Sequence, residues 1–151
     1  MTSEELKSKL TVLLPATTFE DGEMLGVTIP STEWLQFAKQ LRNDPELQFN
    51  FLFCVTCVDY KTNLTMVYHL RSTIHRNEVV VKSVLDRNKP ETESVSSIWK
   101  TAEFHEREAY EMYGVNFLNH PDLRLLILPD GWEGKNPMRK DYEDEVNMIK
   151  L

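Results

Sequence analysis

The 151 residues carry 17 Lys and Arg against 24 Asp and Glu, a formal net charge of −7, with 41% hydrophobic and 27% charged side chains. A chain of this size folds as one domain with a sizeable core, burying about 68–70% of its unfolded surface. The acidic balance opposes a phosphate backbone, and the longest apolar run, Phe51-Leu52-Phe53-Cys54-Val55, is far short of the roughly 20 residues of a spanning helix. The acidic start Met1-Thr2-Ser3-Glu4-Glu5 is unlike a secretory leader, so the expectation is a cytoplasmic protein with neither nucleic-acid binding nor membrane insertion.

In chain order, residues 3–14 space their leucines at helical intervals and Pro15 stops them, which predicts a first helix. Residues 17–20 and 24–29 flank Asp21-Gly22 and read as a hairpin whose Asp-Gly pair suits positive backbone angles. Residues 30–41 begin with hydroxyls placed to cap a helix and set Trp34, Phe37, Ala38 and Leu41 on one face. Asn43-Asp44-Pro45 ends that element. Residues 49–60, 63–72 and 77–85 are β-rich and separated by turn-like pieces, which predicts a three-stranded meander. The one basic segment, 61–89, has six basic against two acidic side chains interspersed with apolar ones, the pattern of an open sheet face. After a loop at 86–93, the run from Ser94 to Met112 has helical spacing at Ile98, Trp99, Ala102, Ala109 and Met112, which predicts one helix or two ending at Gly114.

This order predicts an α+β fold, a two-layer domain with helices on one face of a mixed or antiparallel sheet. From Val115 onward, prolines and glycines interrupt every helical period, so the chain divides into a domain, 1–114, and an extended irregular C-terminal arm, 115–151. The arm's Phe117, Leu126, Ile127 and Trp132 are apolar surface that a tail cannot bury in itself. It has to lie on its own domain or on another protein.

Cys54 and Cys57 form a C-x-x-C pair, but on a strand positions i and i+3 point to opposite faces and cannot share an ion, so core packing is expected. His105-Glu106-Arg107-Glu108 begins like a zinc-binding helix, yet position 109 is alanine where the second histidine would stand. An independent metal-dependent hydrolase would have to draw on His105, Glu108 and His120. Glu103 and Arg107 stand at i, i+4, and Glu108 and Glu111 share a face, as on a salt-bridged helix. No nucleophile elbow, phosphate loop or dinucleotide fingerprint is present. In the arm, His120-Pro121-Asp122-Leu123-Arg124 and Pro137-Met138-Arg139-Lys140-Asp141-Tyr142 place guanidinium groups among carboxylates, which fits docking better than turnover.

The stretch from Trp99 through Glu106-Arg107-Glu108, Tyr113-Gly114, Phe117 and His120-Pro121-Asp122-Leu123-Arg124 resembles the signature of the C-type, or 30 kDa-type, subunit of respiratory NADH:quinone oxidoreductase, complex I. The resemblance continues through Leu128-Pro129-Asp130-Gly131-Trp132-Glu133-Gly134 and Pro137-Met138-Arg139-Lys140-Asp141-Tyr142. It departs at Asn119, Leu125, Glu143 and around residues 135–136. The resemblance implies a cofactor-free structural subunit, peripheral on the cytoplasmic face of the inner membrane. FMN and iron-sulfur clusters would sit in other subunits of a complex coupling NADH oxidation and quinone reduction to ion translocation. It implies the D-type subunit and other hydrophilic-arm subunits as partners. A membrane-bound hydrogenase relative is the near alternative. Candidate docking residues are Glu106, Arg107, Glu108, Phe117, His120, Pro121, Arg124, Trp132, Arg139, Lys140 and Asp141. Arg124, Arg139 and Lys140 are expected to meet partner carboxylates, with Phe117 and Trp132 as apolar anchors; in a variant, Glu106 and Glu108 hold the arm's own arginines.

Overall fold

The computed structural model describes residues 1–144 and 146. Helix α1, Ser3–Leu13, starts at a capping box: Glu5 N–H donates to Thr2 Oγ1 at 3.2 Å and Thr2 N–H donates to Glu5 Oε2 at 2.8 Å. It buries Leu6 and Leu10. Strands β1, Thr18–Glu20, and β2, Leu25–Pro30, form the expected hairpin. Neither Asp21 nor Gly22 has a positive φ. Four residues separate the strands, and a loop of that length does not need the mirror-image angles of a two-residue turn.

Helix α2, Trp34–Asn43, buries Trp34, Phe37, Ala38 and Leu41, as the spacing predicts. Its expected hydroxyl cap is not made. A 3₁₀ turn, Ser31–Glu33, leads into the helix, and neither start has a side-chain cap bond.

The meander is β3, Phe51–Asp59, β4, Asn63–Arg71, and β5, Glu78–Asp86, all antiparallel neighbours. Because β2 lies parallel to β5, the five-stranded sheet is mixed, in the order β1-β2-β5-β4-β3. Alternate residues such as Val27, Val81, Tyr68, Val55 and Cys57 join the buried side chains of all three helices in one core. Trp34 sits against Tyr68, with ring centroids 4.5 Å apart. The other sheet face carries the intervening residues, including Lys82, which pairs with Glu20 at 2.9 Å.

An irregularity between Leu52 and Cys54 shifts the phase of β3, and beyond it Cys54 lies opposite His69 and Cys57 opposite Met66. Both thiols are free; Cys57 is buried in the core, whereas Cys54 is only half-buried. Burial pushes the Cys57 thiol up to about 12, which leaves it protonated and inert.

A short strand β6, Glu91–Glu93, precedes α3, Ala102–Tyr113, which ends at Gly114 with φ 80°. Strand β7, Asn116–Leu118, pairs parallel to β6 and carries Phe117 into the core beside Val115, the residue before it, Phe117 being 2% exposed. The chain therefore leaves the core only after Leu118. Residues 145 and 147–151 of the expected arm lie outside the described residues.

Candidate functional site: the helix that ties down the arm

Helix α3 buries three charged side chains, Glu106, Arg107 and Glu111. Burying charge is costly unless each group is fully hydrogen-bonded. Here the partners are, apart from the Ser94 hydroxyl, main-chain groups of irregular segments, which cannot satisfy themselves in a helix or sheet.

Arg107 and Glu111, one turn apart, grip consecutive residues of the arm. Arg107 donates from Nε to the Arg124 carbonyl at 3.1 Å and from Nη2 to the Leu125 carbonyl at 2.6 Å. The Glu111 carboxylate, 1% exposed, accepts the N–H of Leu126 at 2.9 Å, of Ile127 at 3.0 Å and of Leu128 at 3.1 Å. The cation thus takes two carbonyls and the anion takes the next three amides. Held this way, Leu126 and Ile127 present side chains that are 40% and 62% exposed.

A second tie lies at the far end of the described arm. Met138 N–H donates to the Met112 carbonyl at 3.0 Å, and Arg139 donates to the Tyr113 and Arg87 carbonyls, both at 3.0 Å. Arg139 thereby satisfies a carbonyl of the last turn of α3. Asp59, at the end of β3, accepts from the Arg87 guanidinium, from Lys61 N–H at 2.8 Å and from Lys140 N–H at 2.8 Å. Burial pushes the Asp59 carboxyl up, but those bonds outweigh it and hold the group well below the usual carboxylate range. Asp141 lies 3.3 Å from Arg87 and 3.5 Å from Arg139.

At the root of the arm, Glu106 accepts from the Ser94 hydroxyl at 2.6 Å and from Val95 N–H at 2.8 Å. His120 Nε2 lies 2.9 Å from the Glu103 carbonyl and 3.8 Å from Glu106 Oε2.

Several expectations change. The ion pair between Glu103 and Arg107 does not form, because the arm's carbonyls take the guanidinium. Glu108 is exposed, and Glu106 holds the 94–95 segment, so neither carboxylate grips an arm arginine. The Arg124 side chain pairs with Asp122 at 2.9 Å, and Arg139 is occupied by this chain's own carbonyls. Phe117 is a core residue and cannot anchor a partner. Trp132 is half-buried, with the Lys135 ammonium 4.7 Å from its ring centre. Lys140 bonds through its backbone, its side chain exposed, and Pro121 lines a groove of about 610 Å³ with Arg42, Phe51 and Trp99. His105, Glu108 and His120 are not brought together, and among the described residues no group of three or more His, Cys, Asp or Glu could hold a metal ion.

Three residues that carry the ties lie outside the candidate set: Glu111, Asp59 and Arg87. Asp59 leaves a readable signal, since Val55, Cys57 and Asp59 alternate onto the core face, an unusual place for a lone carboxylate.

The fold and this constellation define a two-layer α+β domain whose buried charges bind mainly its own backbone. Known proteins share the fold. The model of the family described as "Respiratory-chain NADH dehydrogenase, 30 Kd subunit" matches residues 27–146, and the chain belongs to that family. The C-type subunit of the NADH-quinone oxidoreductase of Citrifermentans bemidjiense is 38% identical over 141 residues, 91% of this chain and 85% of that one. The polypeptide of the same enzyme that carries the double letter C/D in Phocaeicola vulgatus is 41% identical over 127 residues, 83% of this chain but only 24% of that one. The C-type subunit of Chloroherpeton thalassium is also 41% identical, over 112 residues, and the match spans 46% of its length. The C-type subunit of the F(420)H(2) dehydrogenase of Methanosarcina mazei is 48% identical over 103 residues, 67% of this chain and 65% of that one. Among solved structures, a trypsin-resistant fragment of Nqo5 superposes with a TM-score of 0.68 at 26% identity, covering 82% of this chain and all of that fragment.

Proposed function

We propose that this chain is a cofactor-free scaffold subunit of the peripheral arm of an NADH:quinone oxidoreductase, docking onto the D-type subunit and neighbouring hydrophilic-arm subunits. FMN, iron-sulfur clusters and the quinone site belong to those partners, on the cytoplasmic face of the membrane. No helix among the described residues is long and apolar enough to cross a bilayer, in keeping with peripheral attachment. The Phocaeicola vulgatus relative supports the D-type subunit as the partner, since one polypeptide there bears both letters.

The observation that carries the reading is the way Glu111 and Arg107 fasten residues 124–128 by backbone alone. Leu126 and Ile127 are left outward on a segment already ordered, and Met138, beside the second tie, is 56% exposed. Ordering before contact lowers the entropy cost of association. Domain 1–114 then acts as the base and the arm as the docking strip, with residues 115–118 built into the base.

The test is affinity for the purified D-type subunit. Ile127→Asp places a charge at the centre of the strip, and losing such an anchor costs about 2 kcal/mol or more, roughly thirtyfold in Kd. The isolated variant should melt like the parent. Unchanged affinity for that partner refutes the docking strip.

The Methanosarcina mazei relative favours a second reading, the same kind of subunit in a complex whose electron donor is not NADH. The two readings share the docking role, and the donor specificity of the purified complex separates them.

A further inference from the structure

The root of the arm holds two buried titratable side chains that take no part in the ties at residues 124–128 and 138–141. The side chains of Glu106 and His120 are both fully shielded from solvent, and Glu106 Oε2 stands 3.8 Å from His120 Nε2. That is beyond a hydrogen bond, yet a displacement of about 1 Å would make one.

The present partners define the ring's state. Nδ1 accepts the Asp122 N–H at 3.0 Å, and Nε2 faces the Glu103 carbonyl at 2.9 Å. A carbonyl only accepts and a backbone N–H only donates, so Nε2 carries the proton, Nδ1 is bare and the imidazole is neutral. Glu106 Oε2 takes the Ser94 hydroxyl at 2.6 Å and still has acceptor capacity toward His120.

We propose that Glu106 and His120 form a protonation latch at the root of the arm. When the Glu106 carboxyl ionises, the His120 Nε2–H leaves the Glu103 carbonyl for the Glu106 carboxylate, and the turn at residues 119–122 moves with the ring. The released proton goes to solvent. The latch goes beyond docking and operates in this chain alone.

The groups facing Glu106 explain why His120 responds. On α3 itself, Glu103 lies one turn away and adds like charge, while Arg107 is turned to the arm's carbonyls and offers no compensation. From β4 the buried Tyr68 phenol faces it, held well above its ordinary range by burial and by the Glu106 charge. From the segment after β6 come Ser94, already donating to Glu106, and Ser96, hydrogen-bonded to Ser94 at 2.8 Å. From the arm comes His120, whose Nε2–H can transfer between two acceptors without being lost. Burial pushes Glu106 up to about 7, against the lowering effect of the Ser94 hydroxyl and the Val95 N–H, so the carboxyl ionises in the neutral range.

The turn is built to hinge there. Asn119 has φ 61°, in the left-handed region, and its side-chain amide donates to Glu93 at 2.9 Å. On the far side, Arg124 is held by Arg107. Displacing His120 pulls on the Asp122 N–H between these two fixed points.

The experiment follows the ring nitrogens of His120 and the amides of Asn119 and Asp122 by NMR in the labelled full chain, from about pH 5.5 to about pH 8.5. One transition near neutrality, shared by the ring and the Asp122 amide and absent in Glu106→Gln, is the expected result. Ser94→Ala, which removes an anion-stabilising donor, should move that midpoint upward and keeps the test available if Glu106→Gln folds poorly. A His120 ring unchanged across the range overturns the latch. So does a transition that persists in Glu106→Gln, which would be His120 titrating on its own, or a midpoint that Ser94→Ala leaves in place.

Discussion

Glu111→Gln is the sharpest test of how the arm is held. The substitution is nearly isosteric and removes the charge while keeping one oxygen. In the parent, Oε2 accepts from Leu126 at 2.9 Å, Ile127 at 3.1 Å and Leu128 at 3.1 Å, and Oε1 accepts from Ile127 at 3.0 Å. With the glutamine oxygen at the Oε2 position, all three donors keep an acceptor but lose its charge, and the new amide group confronts the Ile127 N–H. Hydrogen bonds to a charged group contribute about 1.5–3 kcal/mol against about 0.5–1.5 for neutral ones, a difference near 1 kcal/mol per donor. Three donors give about 3 kcal/mol, reduced to about 2 kcal/mol because Leu126 and Ile127 are open enough for water to reach their amides. Urea unfolding reads the global loss. Native-state hydrogen exchange should localise it to the amides of 126–128, leaving β3, β4 and β5 protected. Unfolding within about 0.5 kcal/mol of the parent, with unchanged exchange at 126–128, would mean that Glu111 does not hold the arm.

Gly114→Ala should destabilise by about 1–2 kcal/mol, since φ is 80° and a Cβ would lie 2.6 Å from the Asn136 Nδ2. Thermal melting measures the cost, and Asn136→Gly in the same chain, which removes the clashing amide and suits the 48° φ at that position, should recover the steric part but not the backbone part at residue 114. Stability against pH should show two opposed carboxyls. Glu106, raised from 4.5 to about 7, contributes most below its ordinary value and loses about 3 kcal/mol as pH rises through about 7; Glu106→Gln removes that slope. Asp59, held low, contributes above the ordinary carboxylate value and loses its contribution as pH falls, so Asp59→Asn flattens the acid limb in denaturant titrations at a series of pH values.

How much of the molecule is readable in its residues varies from place to place. The spacing of Trp34, Phe37, Ala38 and Leu41 is a local property of one helix, and the structure buries all four. The Asp21-Gly22 pair does not take the angles its residue types suit, because turn angles depend on loop length, which its neighbours set. Glu106 and Arg107 stand out in the sequence, but charge alone points to the wrong partners. The structure gives Arg107 carbonyls and Glu106 a hydroxyl and an amide, because desolvated charges bond the nearest unsatisfied backbone, which has no signature in side-chain identity. Asp59 and Lys140, far apart in the chain, meet through the backbone N–H of Lys140, a group every residue but proline possesses.

The amino-acid order by itself determined the first two helices, the five strands of the main sheet, the α+β class and the family resemblance, and it pointed to the need of the proline-rich arm for a surface to lie on; the short pair β6 and β7 left no signal in it. Periodicity, proline placement and residue type act within a few positions and survive without a fold. Only the tertiary structure decided that β2 pairs parallel to β5, that Phe117 is core, and that Glu111, Asp59 and Arg87 fasten the arm. Those outcomes depend on which backbone groups are left unpaired once the sheet has closed, and that is settled only when distant segments come together in space.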